Sequence, residues 1–117
     1  MSLDLAELRT VNVSRLYRWH GEADEWSGAD WSNAMCGEAG EAANVVKKLR
    51  RHETHAGTQY NTPEVAALLP ALAEELADVV IYADLLAHKY GIDLADAVIA
   101  KFNRVSEAQG FPERIGR

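Results

Sequence analysis

The chain has 117 residues, of which 48% are hydrophobic and 26% are charged, and its formal net charge is −6. This length and composition fit one soluble globular domain over residues 1–117, and the acidic balance argues against a surface that holds a nucleic-acid polymer. Cys36 is the only cysteine, the N-terminus lacks a secretory layout, and no apolar run reaches the ~18–20 residues that cross a bilayer, so we expect a cytoplasmic protein without a membrane partner.

The first half of the chain predicts two helices separated by a loop. Apolar residues recur at near-helical spacing over residues 3–20, which predicts the first helix. Residues 21–31 mix glycine, acids, serine and tryptophan, a composition typical of loops. Ser32 is a suitable N-cap for a second helix, which we expect to run to Arg51.

The third predicted helix is interrupted by a proline. Thr62 and Pro63 form an N-cap and first-turn pair, the usual start of a helix. Pro70 lacks the amide hydrogen that the helix needs, so we expect a short piece over 63–69 and a long piece over 71–90.

A fourth helix follows a glycine. Gly91 is suited to end the long piece, and Asp93 is suited to cap a last helix that ends near Gln109. No segment alternates apolar and polar residues over a convincing length, so no β-strand is predicted. The expected fold class is therefore all-α.

Two acidic pairs with the same spacing occupy the second and third predicted helices. Glu38 and Glu41, and then Glu75 and Asp78, are three residues apart, which places each pair on one helix face with Cβ atoms ~5–6 Å apart. Antiparallel packing would let the pairs face one another, and carboxylates are the ligands that Mg²⁺ prefers. Such a site supports phosphoryl transfer. The alternative is a solvated acidic face, but the small and apolar neighbours of Glu41 and Asp78 favour a metal site.

Two glycines lie inside the predicted second helix. Gly37 and Gly40 should each cost roughly 0.5–1 kcal/mol relative to alanine. Close approach of a ligand and tight packing against another helix both explain this cost, and the sequence leaves both explanations open.

The stretches GEAGEAANVV and EELADVVIYADLLA resemble the MazG-like family of all-α nucleoside triphosphate pyrophosphohydrolases, whose hallmark is ExxE followed downstream by ExxD. The resemblance covers about residues 31–111. It implies a four-helix bundle that is completed by oligomerisation, as a homodimer or a homotetramer. By this resemblance Glu38, Glu41, Glu75 and Asp78 would be the catalytic residues and would hold Mg²⁺, with Mn²⁺ able to substitute.

The resemblance also implies a reaction. A nucleoside triphosphate would be hydrolysed to the monophosphate and pyrophosphate, with a metal-activated water attacking the α-phosphorus. The stretch ADWSNAMCGEAGEAANVVKKLRR is similar to a phage-associated branch thought to act on purine deoxynucleotides such as dGTP, which would place a phage-encoded enzyme in the host cytoplasm. A non-catalytic helical module that binds nucleotides or a protein partner is the competing hypothesis.

Five further residues are candidates for contacting the substrate: Trp31, Tyr82, Lys101, Asn103 and Arg104. Trp31 would stack on the base, although packing in a core or an interface is more common for tryptophan. Tyr82 matches an aromatic position of the deoxycytidine-triphosphate branch, although a tyrosine packed in the core explains it equally well. Lys101 matches a basic position that points towards phosphates in relatives. Family members often carry asparagine where this chain has Val105. Asn103 and Arg104 are therefore alternative candidates for contacting the phosphates together with Lys101.

Residues 52–61, HETHAGTQYN, lengthen the stretch between the two acidic pairs relative to the family. They are either a lid or an oligomer contact, or else a surface insertion that costs little because closure entropy grows slowly with loop length.

Overall fold

The computed structural model describes residues 1–54, 57–58 and 62–116. These residues form four helices, and the fold class is all-α as predicted: α1 (Leu5–His20), α2 (Gly28–Arg50), α3 (Pro63–Lys89) and α4 (Leu94–Gln109). Between α2 and α3, two strands of two residues each pair antiparallel: β1 (Glu53–Thr54) and β2 (Gly57–Thr58). Among the described helices, none combines the length and the apolar character needed to span a bilayer.

The chain divides into two compact units. The first unit comprises Met1–Glu25 and Asp84–Arg117, and therefore contains α1, the end of α3, and α4. The second unit comprises Trp26–Ala83, and contains α2, the strand pair and most of α3. A single domain over residues 1–117 stays a prediction.

A buried ionic network holds the first unit together. The carboxylate of Asp84 near the end of α3 is buried, and it accepts hydrogen bonds from Arg9 Nε at 2.8 Å and from Asn12 Nδ2 at 3.0 Å. Arg9 also donates from Nη2 to the carbonyl oxygen of Ile92 at 2.8 Å. Charged groups are rarely buried unless they are paired in this way. One arginine of α1 thus fixes both α3 and the turn that leads to α4.

The turn between α3 and α4 follows the predicted capping. Gly91 has a φ of 67°, and the amide of Ile92 donates to the carbonyl of Ala87 at 2.9 Å, which closes the last turn of α3. The Asp93 side chain accepts from the amide of Asp96 at 3.0 Å and starts α4. The predicted roles of Gly91 and Asp93 are confirmed.

In the second unit, α2 begins four residues before the predicted Ser32 cap. Ser27 Oγ accepts from the amide of Asp30 at 3.1 Å, and Asp30 Oδ2 accepts from the amide of Ser27 at 2.9 Å. This reciprocal capping box satisfies two backbone donors. The predicted cap at Ser32 is therefore wrong, and Trp31 lies inside the helix.

The helix α3 is continuous, so the predicted break at Pro70 is wrong. Thr62 Oγ1 accepts from the amide of Val65 at 3.3 Å, which confirms the predicted start of the helix. A proline inside a helix costs ~3 kcal/mol. The side chain of Val65, one turn before Pro70, has no exposed surface, and such packing can offset the cost and keep the preceding turn helical.

The strand pair was not predicted. Its ladder consists of Glu53 opposite Thr58 and Thr54 opposite Gly57, which is too short to produce an alternating pattern in the sequence. The choice between a lid and a surface insertion rests largely on residues 55–56 and 59–61, which lie outside the described residues.

Candidate metal site

Three carboxylates of the second unit converge between α2 and α3. Glu38 and Glu41 on α2 and Glu75 on α3 each offer one oxygen, and these oxygens all lie within 4.8 Å of one another. Elsewhere on the same two helices, the ring of Trp31 on α2 lies 6.0 Å from the ring of Tyr82 on α3, measured between centroids. Since the earlier residue of α2 meets the later residue of α3, the two helices run antiparallel at this site.

The carboxylates of this cluster repel one another, and those of Glu38 and Glu75 are partly withdrawn from water. A hydrogen bond with Glu41 raises the pKa of Glu75 to about 7, and desolvation and the neighbouring acidic charges act in the same direction. Desolvation, followed by the charges of Glu41 and Asp78, raises the pKa of Glu38. The cluster is therefore electrostatically incomplete without positive charge.

Two oxygen atoms of the cluster identify what it could bind. Oε2 of Glu38 and Oε2 of Glu75 are buried and have no hydrogen-bond partner. A buried acceptor without a partner costs ~1–3 kcal/mol, and more when the group is charged. A donor set made only of carboxylate oxygens suits a hard divalent cation such as Mg²⁺ or Mn²⁺. The residues present therefore fit a metal ion.

Asp78 lies beside this cluster and outside its tightest part. Its charge raises the pKa of both Glu38 and Glu75, so it is close enough to act on them. Its oxygens do not belong to the group within 4.8 Å. The structure thus brings three of the four predicted acids together and places the fourth at their edge.

An aromatic cluster in the second unit consists of Trp26, Trp31 and Tyr82. Trp31 is only 2% exposed, and its ring lies 4.6 Å from that of Trp26 and 6.0 Å from that of Tyr82, measured between centroids. So little exposed surface leaves no open face for a nucleobase, which favours the core-packing alternative for Trp31. Trp26 is 40% exposed, in contrast to Trp31.

The three candidates on α4 belong to the first unit. Asn103 uses both ends of its amide, because Nδ2 donates to the carbonyl of Ile115 at 2.9 Å and Oδ1 accepts from the amide of Ile115 at 2.7 Å. These bonds hold the C-terminal segment against α4, so the amide of Asn103 stabilises the fold in this structure. Lys101 and Arg104 are exposed, and Lys101 lines an apolar groove of about 700 Å³ together with Phe102.

A shallow depression on α2 includes Glu41, and sequence reasoning gave no role to two of its other polar residues, Asn44 and Lys47. It has a volume of about 450 Å³ and is lined by Gly37, Gly40, Glu41, Ala43, Asn44 and Lys47. A Cβ atom added to either glycine would meet nothing within 4 Å, so packing inside the described chain does not require these glycines. The signal that could have found Asn44 and Lys47 is their spacing of three and four residues along one face of α2, which begins at Gly37 and Gly40.

Comparison with known proteins adds one relative. No protein-family model matches the chain. Over 84 residues the chain is 37% identical to the mouse (Mus musculus) protein dCTP pyrophosphatase 1. This match covers 72% of the chain and 45% of the mouse protein, so the chain spans about half the length of that relative. The relative's name refers to a pyrimidine nucleotide and gives no support to a purine preference.

Proposed function

Because the chain belongs to the MazG-like family of all-α nucleoside triphosphate pyrophosphohydrolases, we propose that it hydrolyses a nucleoside triphosphate to the monophosphate and pyrophosphate. The observation that carries this proposal is the convergence of Glu38, Glu41 and Glu75, whose oxygens lie within 4.8 Å of one another. Carboxylates in this arrangement are suited to the binding of a triphosphate through divalent cations.

The cofactor in this proposal is Mg²⁺, with Mn²⁺ able to substitute. Glu38, Glu41 and Glu75 would hold it, and Asp78 at the edge of the cluster would complete the ligand set. When bound, such a cation supplies positive charge for the triphosphate, a more acidic water and stabilisation of the departing pyrophosphate. The buried oxygens of Glu38 and Glu75, which have no hydrogen-bond partner, are the atoms that gain most from it.

The protein's own residues would orient the substrate. Partial burial of Glu38 and Glu75 reduces their contact with water, which strengthens electrostatic interactions at these two carboxylates. Tyr82, one turn after Asp78 on α3, has its ring near the buried Trp31 and would brace the site or contact the nucleoside. Lys101 and Arg104 are the proposed phosphate partners from α4, because the amide of Asn103 is engaged with Ile115.

The finer identity of the substrate is also part of the proposal. The resemblance of the sequence to a phage-associated branch favours a purine deoxynucleotide such as dGTP. The name of the mouse relative makes dCTP the alternative substrate. The enzyme would act in the cytoplasm, of the host if it is phage-encoded, as a homodimer or a homotetramer.

A panel of deoxynucleoside triphosphates tests the reaction and the base together. The protein is incubated with dGTP, dATP, dCTP or dUTP and with Mg²⁺, Mn²⁺ or EDTA, and the products are separated by ion-exchange chromatography. We expect a monophosphate and pyrophosphate, no product with EDTA, and the fastest turnover with dGTP. Release of orthophosphate would overturn the reaction type, and faster turnover of dCTP would overturn only the base.

Two matched variants test the site. Glu41→Gln removes one carboxylate of the cluster, while Glu74→Gln removes an exposed carboxylate next to the cluster on α3. We expect Glu41→Gln to lower kcat by about 100-fold or more, the scale on which lost electrostatic stabilisation acts, and Glu74→Gln to leave it unchanged. Equal turnover in both variants would remove the assignment. A nucleotide-dependent rise in Tm without any product would instead favour the binding module.

A further inference from the structure

Hydrogen-bond donors lie beside the acidic cluster, in the shallow depression on α2. Asn44 and Lys47 line this depression together with Glu41, one of the three clustered acids. Both side chains are exposed, and within the part of the chain that the structure describes neither has a hydrogen-bond or ion-pair partner. The cluster itself offers carboxylate oxygens, which only accept hydrogen bonds when they are ionised. The depression therefore supplies the donors that the cluster lacks.

The residues that line the depression are unfavourable inside a helix. Gly37, Gly40 and Asn44 each have a lower helix propensity than alanine. They share one face of α2 with Lys47, because the successive spacings of three, four and three residues follow the helical repeat. A Cβ atom added to either glycine would meet nothing within 4 Å, so packing inside the described chain does not explain the glycines. A molecule from outside the described chain that approaches the helix backbone closely would explain them.

Asn44 and Lys47 lie at heights on α2 that a ligand of the cluster can reach. At 1.5 Å per residue, Asn44 is about 4.5 Å and Lys47 about 9 Å beyond Glu41 along the helix axis. At about 100° per residue, Asn44 is about 60° and Lys47 about 120° from Glu41 around this axis. Long side chains on a helix lean toward its N-terminus, which brings the ammonium of Lys47 back toward Glu41. A ligand that extends from the cluster across the depression therefore meets Asn44 first and Lys47 second.

The chemistry of the depression fits phosphate better than a nucleobase. Its described lining consists of two donors, one carboxylate and small residues, and includes no aromatic ring on which a base could stack. The ammonium of Lys47 is a compact positive charge that binds phosphate oxygens, and the carboxamide of Asn44 donates two hydrogen atoms to such oxygens. In a chain whose net charge is −6, positive groups beside the acids are of particular value to an anionic ligand.

We propose that Asn44 and Lys47 bind the terminal phosphates of the nucleotide, the part that departs as pyrophosphate. Lys47 neutralises charge on these phosphates, Nδ2 of Asn44 donates to one of their oxygens, and Gly37 and Gly40 leave room for them. The two donors thereby favour a triphosphate over a nucleotide with fewer phosphates. This inference rests on the proposed function, and it adds to it the residues that recognise the length of the phosphate chain.

Binding of imidodiphosphate, a pyrophosphate analogue that resists hydrolysis, tests this subsite without catalysis. Isothermal titration calorimetry with Mg²⁺ compares the unaltered protein with Lys47→Gln, Lys47→Arg and Lys48→Gln. We expect Lys47→Gln to raise the dissociation constant by about 10-fold or more, as for a lost hydrogen bond to a charged group, and Lys47→Arg to restore most of the affinity. Lys48→Gln is the matched control, because it removes the same charge from a neighbour outside the described lining, and it should leave the dissociation constant nearly unchanged.

Inhibition by the two products separates phosphate recognition from a structural role. We expect Lys47→Gln and Asn44→Ala to raise KM and the inhibition constant of pyrophosphate by about 10-fold, and to leave the inhibition constant of the deoxynucleoside monophosphate unchanged. Gly40→Leu fills the depression and should also weaken the binding of imidodiphosphate. Because leucine favours a helix more than glycine does, weaker binding in this variant would not come from lost helix.

The outcomes distinguish this subsite from the proposed function. Equal dissociation constants in Lys47→Gln and Lys48→Gln, in a protein that still releases pyrophosphate from a triphosphate, would refute the subsite and leave the proposed function in place. An unaltered protein that neither binds imidodiphosphate with Mg²⁺ nor forms pyrophosphate would refute both. A Gly40→Leu variant that binds imidodiphosphate as tightly as the unaltered protein would exclude the depression as the place of binding.

Discussion

Replacement of Arg9 by methionine tests how much the buried ionic network stabilises the first unit. The substitution keeps most of the apolar stem and removes the guanidinium group. The carboxylate of Asp84, which has no exposed surface, would then keep only the hydrogen bond from Asn12 among the side-chain bonds described above. The carbonyl of Ile92 would lose its donor as well.

The expected magnitude follows from the unequal burial of the two partners. Removal of one partner of a buried ion pair costs ~3–5 kcal/mol, because the other charge stays buried without compensation. The side chain of Arg9 is 24% exposed, so water can partly replace it, and we expect the lower end, about 3 kcal/mol. Asp84→Asn removes the buried charge itself and leaves an arginine that can reach water, so its cost should be smaller, about 1–2 kcal/mol.

Urea unfolding followed by circular dichroism, at one fixed protein concentration, measures both variants. We expect Arg9→Met to reduce the free energy of unfolding more than Asp84→Asn, and to lower Tm by roughly 10 °C in a chain of this size. Equal losses, the reverse order, or a loss below about 1 kcal/mol for Arg9→Met would refute the claim that burial of Asp84 dominates the energetics of this pair.

Two other predictions concern the second unit. The pKa of Glu75 is raised from 4.5 to about 7, so its contribution to stability is complete below pH 4.5 and is lost as the pH rises through about 7. The Tm of the metal-free protein should therefore fall as the pH rises over this range. Either added Mg²⁺ or the substitution Glu75→Gln should make this fall less steep. An equally steep fall in Glu75→Gln would contradict the raised pKa of Glu75 as its cause. Trp31→Leu should destabilise the protein by about 3 kcal/mol because the indole is buried in the aromatic cluster, whereas unchanged unfolding with a raised KM would support base stacking instead.

Capping residues made most of the helical pattern predictable from the sequence. Thr62, Gly91 and Asp93 each act through their own backbone or side chain on a neighbour a few residues away, so their effect is local and can be predicted from the sequence. Ser27 was missed because its partner in the capping box is an aspartate within a stretch that resembles a loop. Helix α3 continues through Pro70, against the local rule that a proline interrupts a helix, so this part of the pattern was not predictable from the residue type.

The acidic cluster was predictable because repeated acidic spacing restricts which side chains share a face. When two helices each carry one acidic face, antiparallel packing can bring the two faces together. Glu38 and Glu41 on α2 and Glu75 on α3 converge in this way. The buried pair of Arg9 and Asp84 was not predictable, since its members are 75 residues apart and no periodic pattern links them. Burial of Trp31 was similarly undecided, because the same residue type suits a core and a base-stacking surface.

The different environments of the two helices that carry the acids have a consequence for divergence within the family. Within α3 lie Glu75 of the acidic cluster and the fully buried Asp84, so substitutions at either position would disturb the cluster or the ionic network. The flank of α2 around Asn44 and Lys47 faces open space next to Glu41. Under the proposed function, substitutions on this flank of α2 are therefore the ones that can alter substrate preference while the acidic cluster and the Arg9–Asp84 network stay intact.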